Sequence, residues 1–150
     1  MDALRSAGIS FEVVPGITAA FAAAAALRQP LTDRRCASGV SFSSGHRADG
    51  AGSGTTRVIY MPGRDLSAIA AQLRGEGLEP TVPCALVSRA SQPDEQIQRT
   101  TLGELGNVRP GPAPTLLVVG EALGAESERS VPLSCHTLAA TDAEDLGNQA

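Results

Sequence analysis

Thr18 and Ala19 follow a Pro-Gly turn and begin an alanine-rich run, which makes them the first residues in the sequence that could hold a ligand. Pro15 and Gly16 turn the chain just before them. The backbone N–H groups of a first helical turn have no acceptor within the helix, so they can receive an anion. The alternative is that the Pro-Gly pair only turns the chain and that Thr18 caps the helix.

Met61 stands at a second Pro-Gly turn, directly before Pro62 and Gly63. It ends the run RVIYM, which is typical of a strand. Open α/β sheets bind ligands beyond the carboxyl ends of their strands, so a ligand contact is one interpretation of Met61. The alternative is that Met61 fills the core, as flexible methionines often do.

No catalytic group or metal site can be assembled from the remaining side chains. His46 lies between Gly45 and Arg47 and has neither a carboxylate nor a cysteine beside it, which is more typical of a surface residue than of a catalytic one. No Ser-His-Asp set, metal cluster or GxxxxGK[ST] loop is present. We therefore predict no metal and name no catalytic residue.

The three cysteines are predicted to be buried or unreactive thiols. Cys36, Cys84 and Cys135 lie about fifty residues apart and form no CxxC pair. This odd number and wide spacing favour neither a disulfide framework nor a zinc site.

The elements that must position these residues alternate between strand and helix. The strands are predicted at 9–14, 39–44, 57–61, 84–87, 97–101 and 115–119, and the helices at 17–28 and 66–74. Such alternation predicts an α/β sheet with both faces covered. Residues 1–123 form the predicted domain, and the polar composition of 124–150 predicts a flexible tail.

Composition and charge exclude several classes of protein. With 42% hydrophobic and 19% charged residues in 150, the chain is globular and of a size for one domain. The net charge is −4 and the 12 basic residues, all arginine, are scattered, which disfavours nucleic-acid binding. The longest apolar run is too short to span a membrane, which takes about 20 residues, and the first ten residues contain no apolar run of signal-peptide type. We predict no membrane association and a cytoplasmic location.

Four segments resemble the C-terminal half of the tetrapyrrole methylase family, in the same order and at similar intervals. They are VVPGITAA, VIYMPGRDL, PCALVSRASQPDEQIQRTTLGEL and PTLLVVGEAL. The family's N-terminal half, with its glycine-rich GxGPGDP and GGDP-like segments, has no counterpart in this sequence. The resemblance implies a single three-layer domain with a mixed sheet of about five strands flanked by helices.

The resemblance also implies a cofactor and the residues that contact it. Family members transfer a methyl group from S-adenosylmethionine and release S-adenosylhomocysteine. By their positions in the motifs, Thr18, Ala19, Met61 and Ala90 would contact this cofactor, although Ala90 stands where the family usually has glycine. Gln96 matches a loop glutamine of the family, and packing and function remain equally open for it.

The implied acceptor of the methyl group is a tetrapyrrole. The stretch RASQPDEQIQRTTLGEL favours the branch that converts uroporphyrinogen III to precorrin-2, for which the catalytic base lies in the absent half. Arginines could pair with the tetrapyrrole's carboxylates, although solvated surface charge is the simpler interpretation; these are Arg28, Arg34, Arg35, Arg47 and Arg57. The substrate-binding residues stay unknown.

Two alternatives remain open from the sequence. One is half of a sister methylase acting on a later corrin intermediate, on diphthine or on ribosomal RNA. The other is a degenerate, non-catalytic binding or dimerisation domain. The implied partners are a second copy of the chain, as in a homodimer, or the missing N-terminal half.

Overall fold

The computed structural model describes residues 1–45, 52 and 54–128. The elements in these ranges are helices α1 (Asp2–Ser6), α2 (Ala19–Leu27) and α3 (Leu66–Gly75), strands β1 (Gly39–Ser44), β2 (Thr55–Tyr60), β3 (Pro83–Ser88), β4 (Gln96–Thr101) and β5 (Thr115–Val119), and 3-10 turns at Leu105–Asn107 and Glu121–Glu128. None of the described helices is long and apolar enough to cross a membrane. His46 and most of the predicted tail lie outside the described residues.

The strands form one mixed sheet in the order β1-β2-β5-β3-β4. β1 and β2 run parallel, and each of the other neighbouring pairs is antiparallel. This confirms the expected mixed, five-stranded sheet. The bounds of β1 and β5 are those predicted, and the other three strands differ from the prediction by at most two residues at either end.

Helices cover both faces of the sheet. Successive side chains of a strand point to opposite faces, so one strand can contribute to a hydrophobic cluster on each face. In β5, Leu117 and Val119 join the hydrophobic cluster beneath α3. Leu116 and Val118 join the cluster beneath α2. The expected three-layer arrangement is therefore confirmed.

The two longer helices each begin at a side-chain cap. The Asp65 carboxylate accepts a hydrogen bond from the Ser67 N–H at 3.1 Å, and its hydrogen bonds to the Ser67 side chain and the helix backbone lower the pKa of Asp65. α2 begins after Thr18, whose hydroxyl accepts from the Ala20 N–H at 3.4 Å. Thr18 thus caps α2, and the helix starts two residues later than predicted.

The strand predicted at 9–14 is wrong. These residues form neither helix nor strand, and Val13 and Val14 are 64% and 79% exposed. A strand is stabilised by hydrogen bonds to a neighbouring strand, and the described residues supply none for this run. Its apolar side chains, Ile9 among them, therefore lie at the surface, as does that of Ile17.

Cys84 is buried in β3, as predicted for an unreactive thiol. Burial raises the pKa of Cys84 to about 12, so the thiolate, which is the nucleophilic form, is not populated at neutral pH. Cys36 is only partly buried, and burial followed by the charge of Asp33 raises its pKa as well. Cys135 lies outside the described residues.

Candidate functional site

The carboxyl ends of β1, β2 and β3 meet at one edge of the sheet, which we call the carboxyl edge. Pairs of residues on neighbouring strands line this edge. Ser44 pairs with Tyr60, Tyr60 with Leu116, and Ser88 pairs with Gln96 on one side and with the first residue of β5 on the other. Residues that follow β2 and β3 are therefore brought to the same place from distant parts of the sequence.

Thr18 joins the carboxyl edge through a hydrogen bond between its hydroxyl and the Tyr60 hydroxyl. The two residues are 42 positions apart in the sequence. Ala19, the first residue of α2, follows directly. The N-terminal turn of α2, with its outward-facing N–H groups, thus lies beside the end of β2.

Met61 follows Tyr60 in a left-handed conformation, with φ of 51°. This region is disfavoured for residues other than glycine, so the surrounding structure must hold it. The Gly45 N–H donates to the Tyr60 carbonyl at 2.7 Å, and a Cβ at Gly45 would lie only 2.3 Å from the Met61 carbonyl oxygen. The absence of a side chain at Gly45 therefore permits the turn at Met61, whose own side chain is exposed.

Ala90 lies two residues beyond β3 and packs against the cluster beneath α2. Its neighbours Arg89 and Ser91 both have positive φ, of 52° and 65°. Arg89 braces this loop, because its Nε donates to the Ala113 carbonyl at 3.1 Å and its Nη1 pairs with Asp94. The four residues predicted to contact the cofactor, Thr18, Ala19, Met61 and Ala90, therefore all lie at the carboxyl edge.

An open groove of about 920 Å³ also reaches this edge. One wall is the loop after β2, including Met61 and Arg64, and the other is the segment 109–115 that leads into β5. Thr18, Ala19 and Ala90 are not among its lining residues. Of the four residues predicted to contact the cofactor, Met61 is the one that lines this groove.

The sequence-based interpretation of Arg57 as a solvated surface charge is wrong. Arg57 is 3% exposed, and its Nη2 lies 3.4 Å from Oε2 of Glu76. Both side chains line a second cavity of about 540 Å³, which also reaches Val82 and Gly120 and so lies at the opposite edge of the sheet. Arg47 lies outside the described residues.

Two residues at the carboxyl edge were not singled out from the sequence for a role there. Tyr60 is the only tyrosine and directly precedes Met61, which was a usable signal. Gly45 directly follows a predicted strand, but the sequence does not reveal that it faces Met61.

The four predicted residues at the carboxyl edge can bind a ligand but do not include an acid or base for catalysis. They provide a hydroxyl, a thioether, helical N–H groups and small side chains that let a ligand approach the backbone. None of the four predicted residues is an acid or base at neutral pH. In the part of the chain that the structure describes, no three histidine, cysteine, aspartate or glutamate side chains are grouped as metal ligands.

The sequence matches the family model described as Tetrapyrrole (Corrin/Porphyrin) Methylases over residues 1–106. It is 40% identical to siroheme synthase 1 of Pectobacterium atrosepticum, over 82% of this chain and 28% of that protein. It is 36% identical to the uroporphyrinogen-III C-methyltransferase of Paracoccus denitrificans, over 87% of this chain and 50% of that protein. The chain thus spans half or less of these two curated relatives.

A solved structure is similar in fold as well as sequence. It is that of the uroporphyrin-III C-methyl transferase from Thermus thermophilus complexed with S-adenyl homocysteine. The TM-score is 0.68 and the sequence identity is 33%, over 81% of this chain and 57% of that chain.

Proposed function

This chain belongs to the family of tetrapyrrole (corrin/porphyrin) methylases, and on that basis we propose that it forms the cofactor side of an S-adenosylmethionine-dependent methyltransferase. The proposed substrate is uroporphyrinogen III, which is methylated on ring carbons to precorrin-2. The proposed catalytic unit needs a second half, because the chain spans half of its Paracoccus relative.

The observation that best supports the proposal is the meeting of distant motifs at one edge. Thr18 and Tyr60 are joined by their hydroxyl groups, Met61 follows Tyr60, and Ala90 follows β3 at the same edge. Periodicity alone does not require this meeting, since the motifs lie on separate elements. The structurally similar uroporphyrin-III C-methyl transferase from Thermus thermophilus was solved in complex with S-adenyl homocysteine, the product form of the cofactor.

The residues at the edge fit one wall of a site for S-adenosylmethionine. Ala19 and Ala90 leave room for a large ligand beside the backbone, and the Thr18 hydroxyl and the first N–H groups of α2 can bind its polar atoms. The exposed Met61 side chain can pack on an apolar part. When bound, S-adenosylmethionine supplies a methyl group on a positively charged sulfur for an in-line displacement.

This chain would contribute position rather than acid–base catalysis. Thr18 and the α2 turn bind and orient, while Met61 and Ala90 exclude water from one side. The four residues offer no group that could remove the ring proton at neutral pH. A base and the opposite wall must therefore come from the half that this chain does not span.

The exposed apolar surface also agrees with a missing half. Ile9, Val13, Val14, Ile17 and Phe21 are all exposed along one stretch of chain around the start of α2. Contiguous exposed apolar side chains of this kind mark surfaces that another protein or domain covers. The same surface could serve a non-catalytic dimerisation domain, so only activity separates the two functions.

Methyl transfer tests the proposal directly. We expect no turnover when the chain alone is incubated with methyl-labelled S-adenosylmethionine and uroporphyrinogen III. We expect labelled product when the N-terminal half of the Paracoccus denitrificans relative is added in trans, because the two walls and the base are then present. Product is measured by chromatography of the labelled tetrapyrrole.

A pair of alanine variants provides the control for this assay. Ala90→Leu puts three extra carbons at the carboxyl edge and should abolish the complemented activity. Ala71→Leu makes the same change at an exposed position of α3 and should retain it. Turnover by the chain alone would contradict the half-enzyme account, and no turnover with the added half would favour the non-catalytic alternative.

A further inference from the structure

The hydrogen bond between Tyr60 and Thr18 ties the start of α2 to the sheet. Tyr60 is the last residue of β2 and directly precedes Met61, and Thr18 is the cap that directly precedes Ala19. One phenol group thus connects three of the four residues at the proposed cofactor wall. The segment just before Thr18 forms neither helix nor strand and is exposed, so it cannot supply the same restraint.

The Tyr60 ring is itself held firmly. The backbone of Tyr60 is paired on both sides, with Ser44 of β1 and Leu116 of β5. Its half-buried ring packs against the cluster beneath α2 and lies 6.5 Å from the Phe42 ring, centroid to centroid. The position of the Tyr60 hydroxyl is therefore set by the sheet rather than by the helix it contacts.

The hydrogen-bonding capacity of Thr18 determines what this contact does. A threonine hydroxyl donates one hydrogen bond and accepts two. The Ala20 N–H donates to Thr18 Oγ1 at 3.4 Å. If the Tyr60 hydroxyl donates as well, both acceptor sites of Thr18 are used and its hydrogen is left to point at a ligand.

We propose that Tyr60 is a positioning residue, which donates to Thr18 and thereby aims the Thr18 hydroxyl at an acceptor atom of S-adenosylmethionine. This inference rests on the proposed function for the identity of the ligand. It adds a residue that holds the cofactor wall without touching the cofactor. Tyr60 and Thr18 should therefore act as a unit in binding.

Binding by the intact chain is measured by amide chemical shifts in a titration with S-adenosylmethionine, which is not consumed without an acceptor. Tyr60→Phe removes only the hydroxyl oxygen and should weaken binding about fivefold, the size expected for one net hydrogen bond. Thr100→Val is the control, because it removes a partly buried hydroxyl of β4 that lies away from the carboxyl edge. It should leave the affinity unchanged.

A double-mutant cycle separates positioning from a general structural effect. In a Thr18→Val background, Tyr60→Phe should have no further effect on affinity, because the hydroxyl that it aims is gone. In a Thr18→Ser background, the fivefold effect should return. A merely structural role of Tyr60 would lower affinity equally in all three backgrounds.

The outcomes distinguish the inference from the function on which it rests. If the unaltered chain binds and Tyr60→Phe binds equally well, or if the effects of the two substitutions simply add, the positioning role is overturned while the proposed function stands. If the unaltered chain shows no binding at any concentration, the proposed function fails and this inference fails with it.

Discussion

Gly45→Ala is expected to lower the free energy of unfolding by about 2 to 3 kcal/mol, within the range for overpacking at a close contact. The added Cβ would lie 2.3 Å from the Met61 carbonyl oxygen and 2.8 Å from the Pro62 Cα. Both are backbone atoms, which cannot rotate away as a side chain does. The turn at Met61 must therefore shift, and the Gly45–Tyr60 hydrogen bond weakens with it.

Chemical denaturation of the intact chain measures this change. Gly75→Ala is the matched control, because a Cβ at this position in α3 would meet no described atom within 4 Å apart from its chain neighbours and the backbone of its own helix. It should be neutral or slightly stabilising, since alanine favours a helix over glycine by about 1 kcal/mol. Equal stability of the two variants would contradict the packing of β1 against the Met61 turn.

Leu117→Ala should cost about 3 to 4 kcal/mol of the free energy of unfolding, as leucine-to-alanine changes in well-packed cores do. Leu117 is fully buried in β5, the central strand, and belongs to the cluster beneath α3. The substitution removes apolar contacts and leaves a cavity in a layer that cannot collapse freely. Urea denaturation, with the slope checked for constancy, gives the value.

Val14→Ala provides the contrast to this core substitution. Val14 and Leu117 each lie in an apolar run that the sequence predicts to be a strand, yet Val14 is 79% exposed. Its replacement should change stability by less than about 0.5 kcal/mol. A loss at Val14 comparable to that at Leu117 would mean that residues 9–14 are paired and buried within this chain.

These two positions show what local pattern can and cannot predict. The run TLLVV, bounded by Pro114 and Gly120, was predicted as a strand with its observed bounds. The run at 9–14 has a similar apolar content, but a strand also needs a neighbour, and a neighbour is a property of the whole chain. The local pattern therefore predicted the strand at β5 correctly and failed at residues 9–14, which have no partner strand among the described residues.

The candidate site was predictable only in part, for a related reason. The sequence places Thr18 at a helix start and Met61 at a strand end, because caps and Pro-Gly turns are local signals. It does not reveal that Tyr60 reaches Thr18, since that contact joins two elements. Nor does it reveal the positive φ of Met61, a conformation that methionine does not favour.

Arg57 illustrates the same limit for charged side chains. Its position in the run RVIYM suggested a strand residue with a solvated charge. The structure buries it because Glu76, just beyond α3, lies within ion-pair distance. Burial of an arginine depends on such a partner, and partners from another element leave no mark in the local pattern.

Mapping the binding of S-adenosylmethionine on the intact chain tests most directly that the carboxyl edge is a cofactor wall. If a complete site bound the cofactor with a dissociation constant of about 1 μM, losing the second wall would remove about 4 kcal/mol of binding free energy. That loss raises the dissociation constant about a thousandfold, to about 1 mM. The account predicts that amide shifts concentrate at Thr18, Ala19, Met61 and Ala90. Shifts confined to the opposite edge, around the cavity of Arg57 and Glu76, would contradict it, and so would no shifts at ten times that concentration.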